Sequence, residues 1–114
     1  MSKKITEQDI IDSVASACQY ISFYHPEDFV KGMVEAYEAE KSEAAKNAIG
    51  QILINSKMCA LGHRPLCQDT GSINIFVKVG LKANLELTKE LVDVLNEGVA
   101  KGYTDPDNTL RYSV

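Results

Sequence analysis

The chain has 114 residues, of which 45% are hydrophobic and 25% charged, with a formal net charge of -4. That is enough chain for one modest core, with a composition ordinary for a soluble globular domain. The acidic balance gives no general attraction for nucleic acid or anionic membranes, and no apolar run approaches the ~20 residues of a membrane span.

Met1-Ser2-Lys3-Lys4 leads straight into polar residues and lacks the apolar core of a signal peptide, which predicts a cytoplasmic protein. Thr6 with Asp9 three residues later is a near variant of the capping box and marks a helix start. Ile10, Val14, Ala17 and Ile21 recur at helical intervals, predicting a first helix to about Phe23. His25-Pro26 interrupts it, and proline suits the first turn of a following helix. That second helix has an apolar stripe of Phe29, Met33, Ala36 and Tyr37, with Glu35, Glu38, Glu40 and Lys41 as its solvated end.

Ser42 caps a third predicted helix, with Ala45, Ala48, Ile49, Ile52, Leu53 and Ser56 on one face. It is expected to stop at Gly62, since glycine accommodates the left-handed turn past a helix end. From Ser72 to Val79, alternation of Ile73, Ile75, Val77 and Val79 predicts a strand, and Phe76 on the other face implies cover on both sides. A lone strand cannot satisfy its ladder hydrogen bonds, so a further strand is expected. A last helix fits Leu87 to Lys101 through Leu91, Val92, Leu95 and Val99, before a turn-rich connector from Thr104 to Asn108.

The cysteines are Cys18, Cys59 and Cys67, whose spacings match neither a zinc site nor a redox pair. Cys18 shares a helical face with Ile11, Val14 and Ile21, and Cys59 follows Ile52 and Ser56 at helical spacing, so both read as core. Cys67 falls outside any periodic pattern. It lies in Arg64-Pro65-Leu66-Cys67-Gln68-Asp69-Thr70-Gly71, which lines up a thiol, an amide, a carboxylate and a hydroxyl between a helix and a strand. Loops anchored by regular elements are where binding and catalytic groups usually sit. The plain alternative is a turn at Asp69-Thr70-Gly71 beside an ordinary loop thiol. His25 and His63 read as structural or surface histidines, and Arg111 by itself would be an exposed arginine.

Cys67-Gln68-Asp69-Thr70-Gly71, preceded by the run from Ile52 to His63, resembles the N-terminal region of the class I fumarate hydratases. These are oxygen-sensitive iron–sulfur enzymes, and the L-tartrate dehydratase alpha subunit is among their relatives. Thr109-Leu110-Arg111-Tyr112-Ser113 is a second matching patch. The resemblance implies an α/β fold, with residues 1–114 as a helix-rich N-terminal fragment (three helices, a strand, a helix) of a larger iron–sulfur hydro-lyase catalytic domain. The remainder of that domain and a C-terminal domain would lie outside these residues, and the fragment alone would be inactive.

The same resemblance implies a 4Fe–4S cluster held by three cysteines, with Cys67 at the position of the first. It puts Gln68 and Asp69 in contact with a small dicarboxylate substrate, fumarate or L-malate, and Arg111 on a substrate carboxylate. Asp69 is the catalytic candidate, although a group beyond Val114 could equally take the carbon-bound proton. The complete protein is expected to be a homodimer with no nucleic-acid or membrane partner. Against this hydro-lyase reading stand a tartrate-dehydratase alpha-type subunit and a non-catalytic helical assembly domain in which the Cys67 loop keeps its shape without chemistry.

Overall fold

The computed structural model describes residues 3–69 and 71–111. The elements run β1 (Lys4–Thr6), α1 (Glu7–Phe23), α2 (Glu27–Ala39), α3 (Glu43–Gly62), β2 (Asn84–Glu86) and α4 (Leu91–Tyr103), a helix-rich α/β arrangement. The chain divides into two compact units. One comprises the residues up to Gln19 and those from Asp69 onward; the other is Tyr20–Gln68.

In the first unit the expected cap at Thr6 is present and reciprocal. The Asp9 N–H donates to Thr6 Oγ1 at 3.1 Å, and the Thr6 N–H donates to Asp9 Oδ2 at 2.8 Å. These bonds from Thr6 hold the Asp9 carboxyl below its ordinary range. β1 pairs in parallel with β2, with Lys4 opposite Asn84, Ile5 opposite Leu85 and Thr6 opposite Glu86. Cys18, Val99 and Tyr103 form the core cluster, with Val14, Ile73 and Leu110 packed against it.

Glycine sets how close α4 comes to α1. A Cβ on Gly98 would lie 2.7 Å from Val14 Cβ, and one on Gly102 would lie 2.8 Å from the Ala15 carbonyl oxygen. Both contacts are too tight for any larger residue. This approach corrects the predicted apolar face of α4. Val99 is buried as predicted and Leu91 and Leu95 are half-buried, but Val92 is 63% exposed, and Val94, Gly98, Gly102 and Tyr103 complete the buried face instead. The helix also begins at Leu91 rather than Leu87. Ahead of it, the Thr88 hydroxyl donates to the Glu7 carboxylate at 3.0 Å and Glu90 has extended backbone.

The predicted strand from Ser72 to Val79 is not formed; residues 71–80 carry no regular structure. Ile73 is half-buried against the core, but Ile75, Val77 and Val79 are exposed and Phe76 is 95% exposed, so the described residues do not supply the expected cover on both faces. The alternation marks a segment suited to a pleated surface, but a ladder needs a partner, and among the described residues the pairing goes to β1 and β2 instead.

In the second unit α2 packs on α3, with Tyr37 beside Gly50 and the Lys46 ammonium 4.9 Å from the Tyr37 ring centroid. Pro26 stands at the N-cap of α2. Ser42 caps α3 by accepting from the Ala45 N–H at 3.4 Å. The turn out of α3 falls one residue later than expected: Gly62 is its last helical residue and His63 takes the left-handed conformation, with φ of 50°. A side chain there carries strain. It is offset by stacking of the imidazole on Phe23, with centroids 4.8 Å apart, and by a 3.2 Å hydrogen bond between Tyr24 Oη and His63 Nε2.

Candidate functional site

His63 turns the chain back along α3, and the segment leading to Cys67 is then held by several hydrogen bonds. The Arg64 N–H donates to the Cys59 carbonyl at 3.2 Å, and the Leu66 N–H donates to the Ser22 carbonyl at 2.9 Å. From α3, Asn55 Nδ2 donates to the Leu66 carbonyl at 2.9 Å. The buried Cys59 thiol donates to the Pro65 carbonyl at 3.4 Å, with Asn55 Oδ1 at 3.6 Å. Cys67 and Gln68 follow, both exposed.

Cys67 alone of the cysteines is exposed. Cys18 lies in the core of the first unit, where burial pushes its thiol up. Cys59 is spent on the loop backbone. Among the described residues no three His, Cys, Asp or Glu side chains gather as a metal-ligand set. An exposed thiol has the soft sulfur that a thiolate-bound metal group would need. His25 bonds Ser56 Oγ at 3.0 Å and packs on Phe29, which agrees with a structural role.

Asp69 and Arg111 belong to the other unit. Asp69 is exposed and its Oδ1 accepts the Gly71 N–H at 2.9 Å, with Gly71 in the left-handed region at φ of 60°. Thr70 lies outside the described residues. Part of the turn reading is therefore correct: the carboxylate organises its own backbone.

Arg111 is reached through the connector after α4, where Gln19 Nε2 donates to the Gly102 and Asn108 carbonyls at 2.6 and 2.9 Å, and Asn108 Nδ2 donates to Gln19 Oε1 at 2.7 Å. The Leu110 N–H then donates to the Tyr103 carbonyl at 2.9 Å. The Arg111 guanidinium sits 5.2 Å from the Tyr103 ring centroid, and its Nε is buried with no hydrogen-bond partner among the described residues. It lines a cavity of about 480 Å³ with Gly71, Ser72, Ile73, Asn96 and Val99. Tyr112 and Ser113, the end of the second matching patch, lie outside the described residues.

Within the first unit, then, the end of the Asp69 turn and Arg111 meet at one cavity. Reading the sequence did not single out Asn96 or Ser72 as lining residues, because helical spacing alone does not show which polar side chains border a cavity. It also passed over Asn55, whose signal is its i,i+4 relation to Cys59 on a face aimed at the loop.

Residues 11–114 match the family model described as fumarate hydratase (Fumerase). The chain is 36% identical over 92 residues to the putative L(+)-tartrate dehydratase subunit alpha of Methanocaldococcus jannaschii, a match covering 81% of this chain and 32% of that protein. It is 32% identical over 98 residues to the L(+)-tartrate dehydratase subunit alpha of Escherichia coli K12, covering 86% of this chain and 32% of that protein. The subunit of the same description from Shigella sonnei matches at 32% over 98 residues. The chain thus spans about a third of the length of these curated relatives.

Proposed function

Given that the chain belongs to the fumarate hydratase (Fumerase) family, we propose that it supplies part of the active site of a hydro-lyase, which adds water to or removes it from a small dicarboxylate. Arg111 carries this reading: its Nε is buried without a partner among the described residues, and its guanidinium borders a cavity with largely apolar walls. A permanently charged, partly desolvated fork has donors to spare, and a carboxylate matches them in bidentate geometry. That supports an anionic substrate over a neutral one.

On this reading Cys67 is one of three thiolate ligands of a 4Fe–4S cluster, since a soft, exposed thiol suits such iron. When bound, the cluster supplies a Lewis acid for the oxygen that leaves or arrives. Arg111 holds one substrate carboxylate, and Gln68 donates an amide N–H to a carboxylate oxygen. Asp69 trades a proton with the water that is added or lost, its carboxylate oriented by the bond from the Gly71 N–H.

The first form of the proposal is reversible hydration of fumarate to L-malate. Dehydration of L-tartrate is the second, supported by the descriptions of the relatives as alpha subunits of L(+)-tartrate dehydratase. Anaerobic assay of the complete enzyme with fumarate, L-malate and L-tartrate decides between them, and turnover of none would overturn both. Asp69→Asn keeps size but cannot trade a proton, so kcat falls with a smaller change in KM. Near-native kcat with the cluster intact would make Asp69 a positioning residue.

A further inference from the structure

Cys67 is exposed, yet the two peptide groups before it are fixed at several points. The Leu66 backbone is held on both sides: its N–H donates to the Ser22 carbonyl and its C=O accepts from Asn55 Nδ2, each at 2.9 Å. The Pro65 carbonyl receives the Cys59 thiol at 3.4 Å. Cys59 is only 6% exposed and follows Asn55 by one helical turn, so the two side chains reach the loop from the same face of α3. Asn55 Oδ1 in turn lies 3.6 Å from the Cys59 sulfur, which links the two anchors.

We propose that Asn55 is a positioning residue for Cys67, bracketing the Pro65–Leu66 backbone together with Cys59 so that the thiol is presented in a fixed direction before any ligand binds. A loop held by burial would gain this rigidity from side-chain packing. Here the residues that follow are exposed, and backbone hydrogen bonds do the holding. A preset ligand direction removes the ordering cost that a free loop would incur on binding. The value of this to an iron–sulfur site rests on the reading of Cys67 as a ligand, but the bracket can be tested without it.

The cysteines provide the test. Wild-type chain, Asn55→Asp and Asn55→Ala are alkylated with iodoacetamide under native conditions, and the rate at each cysteine is resolved by mass spectrometry. Asn55→Asp is the sharper variant, because it keeps size and can still accept from the Cys59 thiol but has no N–H for the Leu66 carbonyl. In both variants Cys59 is expected to label about ten-fold faster, as local opening of the loop uncovers it. Cys18, in the core of the other unit, is expected to keep its wild-type rate. Hydrogen exchange gives a second reading: the Leu66 amide loses protection while the Val99 amide, inside α4, does not.

Unchanged Cys59 labelling in both variants would overturn the proposal. So would a parallel rise at Cys18 and Cys59, since Asn55 would then support the fold as a whole rather than the loop. Failure of the ligand reading shows elsewhere, as a cluster that survives Cys67→Ser.

Discussion

In the unit that carries Arg111, α1 and α4 meet through Gly98 and Gly102 around a core of Cys18, Val99 and Tyr103. In the unit that carries Cys67, Cys59 is the one buried side chain among the described residues, and Asn55, Cys59 and Ser22 hydrogen-bond the loop backbone. The first unit fixes a charged side chain by close packing behind it; the second fixes a thiol by hydrogen bonds to the backbone that precedes it. Packing tolerates little change in volume, whereas a polar bracket tolerates volume but not the loss of a donor. The two units should therefore fail in different ways when mutated.

The largest effect is expected at Arg111. In the complete enzyme Arg111→Ala should raise KM by the equivalent of about 2–5 kcal/mol, because a substrate carboxylate would be left without its charged partner. A normal KM would remove Arg111 from the substrate site. Close behind is Gly102→Val, whose side chain would meet the Ala15 backbone and Cys18 Cβ within 3.0 Å. Overpacking of that kind should cost about 3 kcal/mol in urea unfolding. The matching change in the other unit should have the opposite sign. A Cβ on Gly32, within α2, would meet nothing within 4 Å. Gly32→Ala should thus stabilise by about 0.5–1 kcal/mol through helix propensity. Equal effects of the two glycine substitutions would erase the contrast between the units.

A smaller effect concerns Asp12, whose carboxylate accepts from the Lys101 ammonium across α1 and α4. That bond, with a second from Gln8, holds the Asp12 carboxyl below its ordinary value. A group depressed in the folded state contributes stability above its unfolded pKa and loses it as pH falls through the folded one. Thermal melts from neutral pH to about pH 3 should show this loss in wild type and a shallower fall in Asp12→Asn. Because both side chains are about half exposed, added salt should shrink the difference. Identical pH profiles would show that the pair contributes nothing.

The same contrast explains what the sequence could and could not reveal. Signals confined to neighbouring residues were legible: Thr6 with Asp9, Pro26 before α2, Ser42 before α3, and the helical spacing that buries Cys18 and Cys59. Signals that depend on a distant partner were not. β1 and β2 are three residues each and join the two chain segments of the first unit, so neither stands out alone. The run from Ile73 to Val79 alternates as a strand does, but alternation cannot supply a neighbour. The docking face of α4 was legible at Val99 but not at Gly98 or Gly102, because counting apolar residues gives weight to Val92 and none to glycine. His63 adopts a glycine-like turn only because Phe23 and Tyr24 hold its ring. At the site, Cys67, Gln68, Asp69 and Arg111 were legible through family resemblance, and their roles remain the proposal made above. The bracket around the loop was hidden in ordinary helix residues.

On the proposed function, Cys67 is the thiol of this chain committed to an iron–sulfur site. Its most direct test is iron, sulfide and visible absorption in the complete, anaerobically prepared enzyme, comparing Cys67→Ser with Cys18→Ala. Cys67→Ser should lose the cluster and hydro-lyase turnover together, since a hydroxyl replaces a thiolate poorly on iron, while Cys18→Ala should keep both. A cluster retained in Cys67→Ser but lost in Cys18→Ala would contradict it.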